Sequence, residues 1–175
     1  MTFARRLFAS LILVCLTSCA TSPENRYYLL TPAQNADASL DRGSGTAPEI
    51  SVTVPAYLDR AQIVFVSSDG EADIHEFERW AEPIDGMIAR ILAQDIEAQA
   101  PQRTGHRTLA VVIDSFELGN DRVTLKAHWA ATDKNGSTRI QHDFAATAVP
   151  TSSSMTGYIA TMSDLLSQLA QKIST

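Results

Sequence analysis

The chain has 175 residues, 45% of them hydrophobic and 19% charged, which is enough apolar material for one packed core and too little length for two ordinary domains. Twenty acidic side chains against fourteen basic ones give a formal charge of −6. That balance excludes the clustered cationic surface on which phosphate-backbone binding depends, so nucleic acid is not an expected partner.

In chain order, Arg5 and Arg6 form a basic start, Leu7 to Leu16 an apolar run, and Leu16-Thr17-Ser18-Cys19 closes it in the manner of a bacterial lipobox. The run is too short for a permanent membrane span, which takes roughly 20 apolar residues. Residues 1–18 are therefore expected to be a lipoprotein signal peptide, Cys19 the lipid-attachment site, and 19–25 a short acylated tether. An ordinary signal peptide cut near Ala20 is the other reading. Two or three acyl chains on one cysteine make an effectively permanent anchor, since each buried methylene contributes about 0.8 kcal/mol. Ala20 stands where an Asp would commonly retain a lipoprotein in the inner membrane, so the expected location is the periplasmic face of the outer membrane. Removal of the first 18 residues leaves 157 and takes away two arginines and no acid, so the mature side chains sum to −8. Cys15 leaves with the signal, and no thiol remains for a disulfide, a metal or a nucleophile. Covalent lipid aside, no cofactor is expected.

Residues 26–175 are expected to form a single domain. Arg26 to Leu30 reads as a short strand, and Ala33 to Pro48, poor in large apolar side chains, as an exposed loop. Glu49 to Val54 alternates as a strand stopped by Pro55; Ala56 to Arg60 connects it to Ile63-Val64-Phe65-Val66, which reads as fully buried. Ile74 to Trp80 allows a further strand. Glu82-Pro83 then opens a helix on which Ile84, Met87, Ile88, Ile91, Leu92 and Ile96 recur at helical spacing, ending before Pro101. Arg107 to Phe116 has apolar residues at both parities and is placed in the centre of the sheet.

Asn135-Gly136 is a strong hairpin signal. With these two as the loop, Val123, Leu125, Ala127, Trp129 and Ala131 oppose Ala148, Ala146, Phe144, His142 and Ile140 on one apolar face. The other face carries Thr124, Lys126, His128, Thr132, Arg139 and Asp143 and is expected to be wet. A slip of one residue would scatter this pattern. Ser152 to Ser154 precede a last helix whose stripe is Tyr158, Ile159, Met162, Leu165, Leu166, Leu169 and Ile173, with the hairpin as its nearest apolar platform. The sum is an α+β sandwich, a mixed and largely antiparallel sheet covered by two main amphipathic helices.

Three blocks, Tyr27-Tyr28-Leu29-Leu30-Thr31-Pro32, Val54 to Val64 with Leu58-Asp59-Arg60 at its centre, and Trp80-Ala81-Glu82-Pro83-Ile84, resemble in order and spacing the PqiC/YmbA family, the auxiliary lipoproteins of ABC-type lipid transporters. The resemblance covers most of the mature chain; Ile84 stands where leucine is usual. It implies a non-catalytic outer-membrane lipoprotein that works with an inner-membrane MCE-domain protein in lipid transport or envelope integrity, and that assembles as a homo-oligomeric ring. Tyr57, Leu58, Asp59 and Arg60, with Trp80, are the candidate partner-binding residues. Against that stands a purely local role: Asp59 and Arg60 closing the turn by an ion pair, Tyr57 and Leu58 packed down as loop anchors.

The four histidines, His75, His106, His128 and His142, show no metal-ligand spacing. No phosphate loop and no Gly-x-Ser-x-Gly elbow occurs. His128 opposes Asp143 as a cross-strand polar pair, and His142 opposite Trp129 reads as a hydrogen-bonded histidine at the core's rim. A binding protein that holds a lipid or small ligand by itself, without an MCE partner, is the alternative function; it needs a pocket between the last helix and the sheet, where Ala127, Ala131, Ala145, Ala146 and Ala148 leave room or allow close packing.

Overall fold

The computed structural model describes residues 23–33, 49–99, 106–133 and 141–175, without the side chains of His106, Arg107 and Asp133. The expected signal peptide with Cys19, most of the expected 33–48 loop, the Asn135-Gly136 pair, Arg139 and Ile140 lie outside the described residues. Among the described residues seven strands, β1 (Arg26–Tyr28), β2 (Glu49–Thr53), β3 (Gln62–Val66), β4 (Ala72–Trp80), β5 (His106–Leu118), β6 (Val123–Asp133) and β7 (His142–Ala148), form one mixed sheet, and the helices are α1 (Ile84–Gln99) and α2 (Met155–Ser174). The order across the sheet is β1-β4-β3-β5-β6-β7. β3/β4, β5/β6 and β6/β7 are antiparallel, while β1 runs parallel to β4. One edge of β5 is shared: β2 lies parallel along Thr108–Val112, and β3 meets it at Leu118.

Hairpin register follows the alternation of its two strands. Val123 pairs with Ala148, Leu125 with Ala146, Ala127 with Phe144 and Trp129 with His142. Only this register puts the apolar groups of β7 on the same face as those of β6, and the β6 groups are buried. The platform is covered by α2, whose Tyr158, Ile159, Met162, Leu165, Leu166 and Leu169 are buried, with α1 packed beside it. Ser154 caps α2: its backbone is extended and its Oγ accepts from the Gly157 N–H at 3.2 Å. At the start of α1, the Pro83 carbonyl accepts the Met87 N–H.

Central β5 departs from the expectation of burial on two faces. Leu109, Val111 and Ile113 are buried, then Ser115, Phe116 and Leu118, while Ala110 and Asp114 are exposed. A bulge explains the change of parity: Ile113 pairs with Ala127 and Ser115 with Lys126, so Asp114 is the extra residue and everything after it turns by one position. Apolar residues at both parities thus serve one face. β3 is likewise less buried than expected, for Phe65 and Val66 are only partly covered. The first strand, β1, stops at Tyr28 instead of Leu30, because Leu30 turns off the sheet into the core.

Candidate functional site

The three sequence blocks meet in one corner. Tyr28 is in register with Trp80, and its carbonyl accepts the Ala81 N–H at 3.0 Å. The Trp80 N–H is taken by Ala61 O at 2.8 Å, which ties the connection after β2 to the end of β4. Pro55 O accepts from the N–H groups of Leu58 and Asp59, so the connection is a tight turn without glycine. Leu58 and Trp80 are buried in the core. Tyr57 is half-buried, and its hydroxyl oxygen accepts the Phe116 N–H at 2.9 Å across to β5. Burial pushes the Tyr57 hydroxyl pKa up, opposed by that donated bond.

Three of the five candidate contact residues are thus wholly or partly covered within the chain itself. Tyr57, Leu58 and Trp80 fasten the corner together, because their apolar surface has more to gain from the core than from water. Only Asp59 and Arg60 remain exposed, and among the described residues they do not pair with each other. The loop-anchor reading therefore holds for the first two positions and the turn-closing ion pair does not.

After the corner the chain crosses the helix layer on polar pins. Leu30 N–H points at Met87 Sδ (3.0 Å), Thr31 N–H donates to Ser163 Oγ (3.1 Å) and Ala33 N–H donates to Asp95 Oδ1 (2.9 Å). Asp95 is 1% exposed, and its Oδ2 has no partner among the described residues. Burial raises its pKa, with the Ala33 N–H pulling the other way. A group whose folded-state pKa is raised contributes stability below its unfolded pKa and loses it as pH rises through the folded value. Asp95→Asn keeps an acceptor for Ala33 and carries no charge, so its stability relative to wild type should rise as pH increases from the acid range to neutrality. Urea unfolding across that range measures this. Parallel pH profiles for the two proteins would refute it; a constant offset from the new amide would not matter.

At the N-terminal end of α2 an open cleft of about 760 Å³ is lined by Arg26, Phe65, His75, Glu78, Ser154 and Tyr158 among others. Phe65 stacks on His75 with centroids 4.7 Å apart and meets Tyr158 edge-on at 4.9 Å. The Tyr158 hydroxyl donates to Asn120 O at 2.6 Å, which fixes the ring. Arg26 pairs with Glu78 at 3.2 Å and His75 Nε2 lies 3.4 Å from Asp73 Oδ2. Glu78 and burial together raise the Tyr28 pKa, burial being the larger cause. The cleft was not legible in the sequence, since its walls come from β1, β3, β4 and α2. It also lies away from the interface of α2 with the hairpin, where the inward side chains of β6 are 0–7% exposed and Phe144, Ala146 and Ala148 of β7 are partly buried.

His128 and His142 make contacts that differ from the expected ones. His128 is opposite Asp143 in register, but its Nδ1 bonds Asp114 Oδ2 at 3.0 Å, because the β5 bulge brings that carboxylate onto the wet face. His142 is exposed and stacks on Trp129 at 5.2 Å instead of sitting hydrogen-bonded at the rim. Among the described residues no group of three or more His, Cys, Asp or Glu side chains is placed to hold a metal ion, and no helix is long and apolar enough to cross a membrane.

Comparison with known proteins gives a family and a fold. Residues 28–174 match the family described as "ABC-type transport auxiliary lipoprotein component". Among solved structures, one described only as an uncharacterized protein is 20% identical with a TM-score of 0.69, covering 87% of this chain and 97% of its own. Protein XCC0632 from Xanthomonas campestris, of family DUF330, is 14% identical with a TM-score of 0.62, covering 85% and 92%. At these identities the two structures show a shared fold. No curated protein matches the chain.

Proposed function

Because the chain belongs to the ABC-type transport auxiliary lipoprotein components, we propose that it is the non-catalytic lipoprotein subunit of an MCE-type lipid transport system that maintains the cell envelope. Acyl groups on Cys19 hold it to the periplasmic face of the outer membrane, and it meets the MCE-domain protein as a homo-oligomeric ring. The observation that carries this reading is the family match over nearly the whole mature chain, joined to Leu16-Thr17-Ser18-Cys19 just ahead of it. Asp59 and Arg60 are the partner contacts. They are the charged, exposed tip of a turn that Tyr57 and Leu58 fasten to the core, so substituting them leaves the fold alone.

Cys19→Ser should release the protein from washed membranes, and globomycin should leave the wild-type precursor uncut. Arg60→Ala and Asp59→Ala should keep the wild-type melting temperature and lose co-purification with the MCE-domain protein; truncating an interface arginine costs about 2 kcal/mol or more where it is a hot spot. Membrane retention of Cys19→Ser overturns the anchor, and wild-type co-purification in both loop variants overturns the contact.

A second reading has one observation in its favour. The cleft beside α2, with aromatic walls and charged groups at its mouth, suits a small ligand held without an MCE partner. Mass spectrometry of lipid extracts of the purified protein separates the two.

A further inference from the structure

Both helices pack on the same side of the sheet, and the other side carries its own apolar patch at the β1–β4 edge. Trp80 is buried on the helix side, and Arg26 and Glu78 pair on that side in the cleft. Alternation along the strands therefore puts Tyr27, with its register partner Arg79, on the opposite face, and Phe77, exposed, stands in the irregular stretch of β4 two residues before Arg79. His75 stacks on Phe65 on the helix side, so its neighbour Ile74, paired with Val64, also faces outward. Leu29 follows Tyr28 just beyond the end of β1. Tyr27 is 61% exposed, Leu29 49%, Phe77 41% and Ile74 40%. The remaining exposed large apolar side chain among the described residues, Val149, lies after β7 at the far edge. Val64 is buried but stands outside the core cluster beneath the helices, so this face has a small apolar centre of its own.

An extra length of β4 builds the patch. Gln62 pairs with Arg79 and the next residue, Ile63, with His75, so Glu76, Phe77 and Glu78 bulge from the ladder. Arg79 makes no ion pair among the described residues. A lone arginine among exposed Tyr, Phe, Leu and Ile side chains has the composition of a bilayer-interface surface, where rings sit at headgroup level and the guanidinium meets phosphate. Exposed Glu76 in the same bulge limits the depth to the headgroup layer, since an ionised carboxylate does not enter hydrocarbon.

We propose that this outer face of the β1–β4 edge lies on the bilayer, with Tyr27, Leu29, Ile74 and Phe77 in the headgroup region and Arg79 on lipid phosphate. The tether selects this occupant over a second copy or a transporter subunit. Arg26 is seven residues after Cys19, at most about 25 Å of extended chain, and it begins the very strand that carries Tyr27. The proposal rests on Cys19 being acylated; it adds which face of the domain the anchor holds against the membrane.

The test uses the full-length acylated protein in vesicles of phosphatidylethanolamine and phosphatidylglycerol. Cys19 being blocked by lipid, Ile74→Cys, Phe77→Cys and, as a control on the exposed side of α2, Asp164→Cys each supply a single thiol for a nitroxide. After vesicle flotation, the ratio of oxygen accessibility to that of a water-soluble nickel complex should be higher for labels at 74 and 77 than for the label at 164. Adding Arg79→Glu should move the first two toward the control. Floating protein whose labels at 74 and 77 are as wet as that at 164 overturns the proposal and leaves the anchor intact. Labels shielded from both reagents identify a protein interface and equally overturn it. Protein that does not float removes the anchor, and this orientation with it.

Discussion

Trp129→Ala should destabilise the domain by about 3–5 kcal/mol, the usual cost of emptying a buried aromatic site. The indole is 5% exposed on the inner face of β6, between buried Ala127 and Ala131 along the strand and in register with Val111 of β5. Alanines on both sides cannot extend to fill the space, so relaxation will recover little of the loss. Set against a total stability of about 5–15 kcal/mol for a domain, the change removes a large share and lowers the urea midpoint accordingly. His142→Ala is the comparison: it deletes only the ring stacked on the exposed rim of the indole, about 0.5–1.5 kcal/mol. An unchanged midpoint for Trp129→Ala would show that the buried face of the hairpin had been misassigned.

Gly157→Ala should cost about 1–3 kcal/mol, although alanine is the better helix former. A Cβ built at Gly157 would lie 2.5 Å from Ser152 O and 2.7 Å from Ser152 N. Both are backbone atoms of the turn that folds back on the first helical turn, and that turn is held by bonds of its own. Ser154 Oγ accepts the Gly157 N–H, the Thr151 N–H donates to Thr161 Oγ1 at 3.3 Å, and the Ser152 and Ser154 hydroxyls bond each other at 2.8 Å. Relief of the clash requires the turn to move and the cap to break. Gly86, exposed in the first turns of α1, has nothing within 4 Å of its Cβ position. Gly86→Ala should therefore stabilise by up to about 1 kcal/mol through helix propensity. Opposite signs for one chemical change in two helices is the expected result of paired thermal or urea unfolding. Equal signs would refute the packing account of Gly157.

Elements in which one physical demand dominates were legible in the sequence. The stripe Ile84, Met87, Ile88, Ile91, Leu92 and Ile96 has a single solution, a helix with that face buried, and the structure has it. The hairpin register was equally determined, because alternation in two strands allows no slip without exposing the set around Leu125 and Trp129. The corner blocks were visible as a pattern, but what their residues do was not. Tyr57, Leu58 and Trp80 have the composition of a contact surface and of a core alike; which of these they serve depends on whether another part of the chain covers them, and β5 reaches Tyr57 through Phe116 from 59 positions away.

Charge, the Leu16-Thr17-Ser18-Cys19 motif, the two helices and the strand pairing of the hairpin were determined by the sequence alone, since each rests on residues close together in the chain. Only the tertiary structure decided the phase change at Asp114, its bond to His128, the buried carboxylate of Asp95, the cleft, and the apolar face at the β1–β4 edge. The physical reason is common to all five. A bulge, a desolvated acid and an uncovered face exist only relative to neighbours brought from elsewhere in the chain, and local periodicity carries no information about which neighbours arrive.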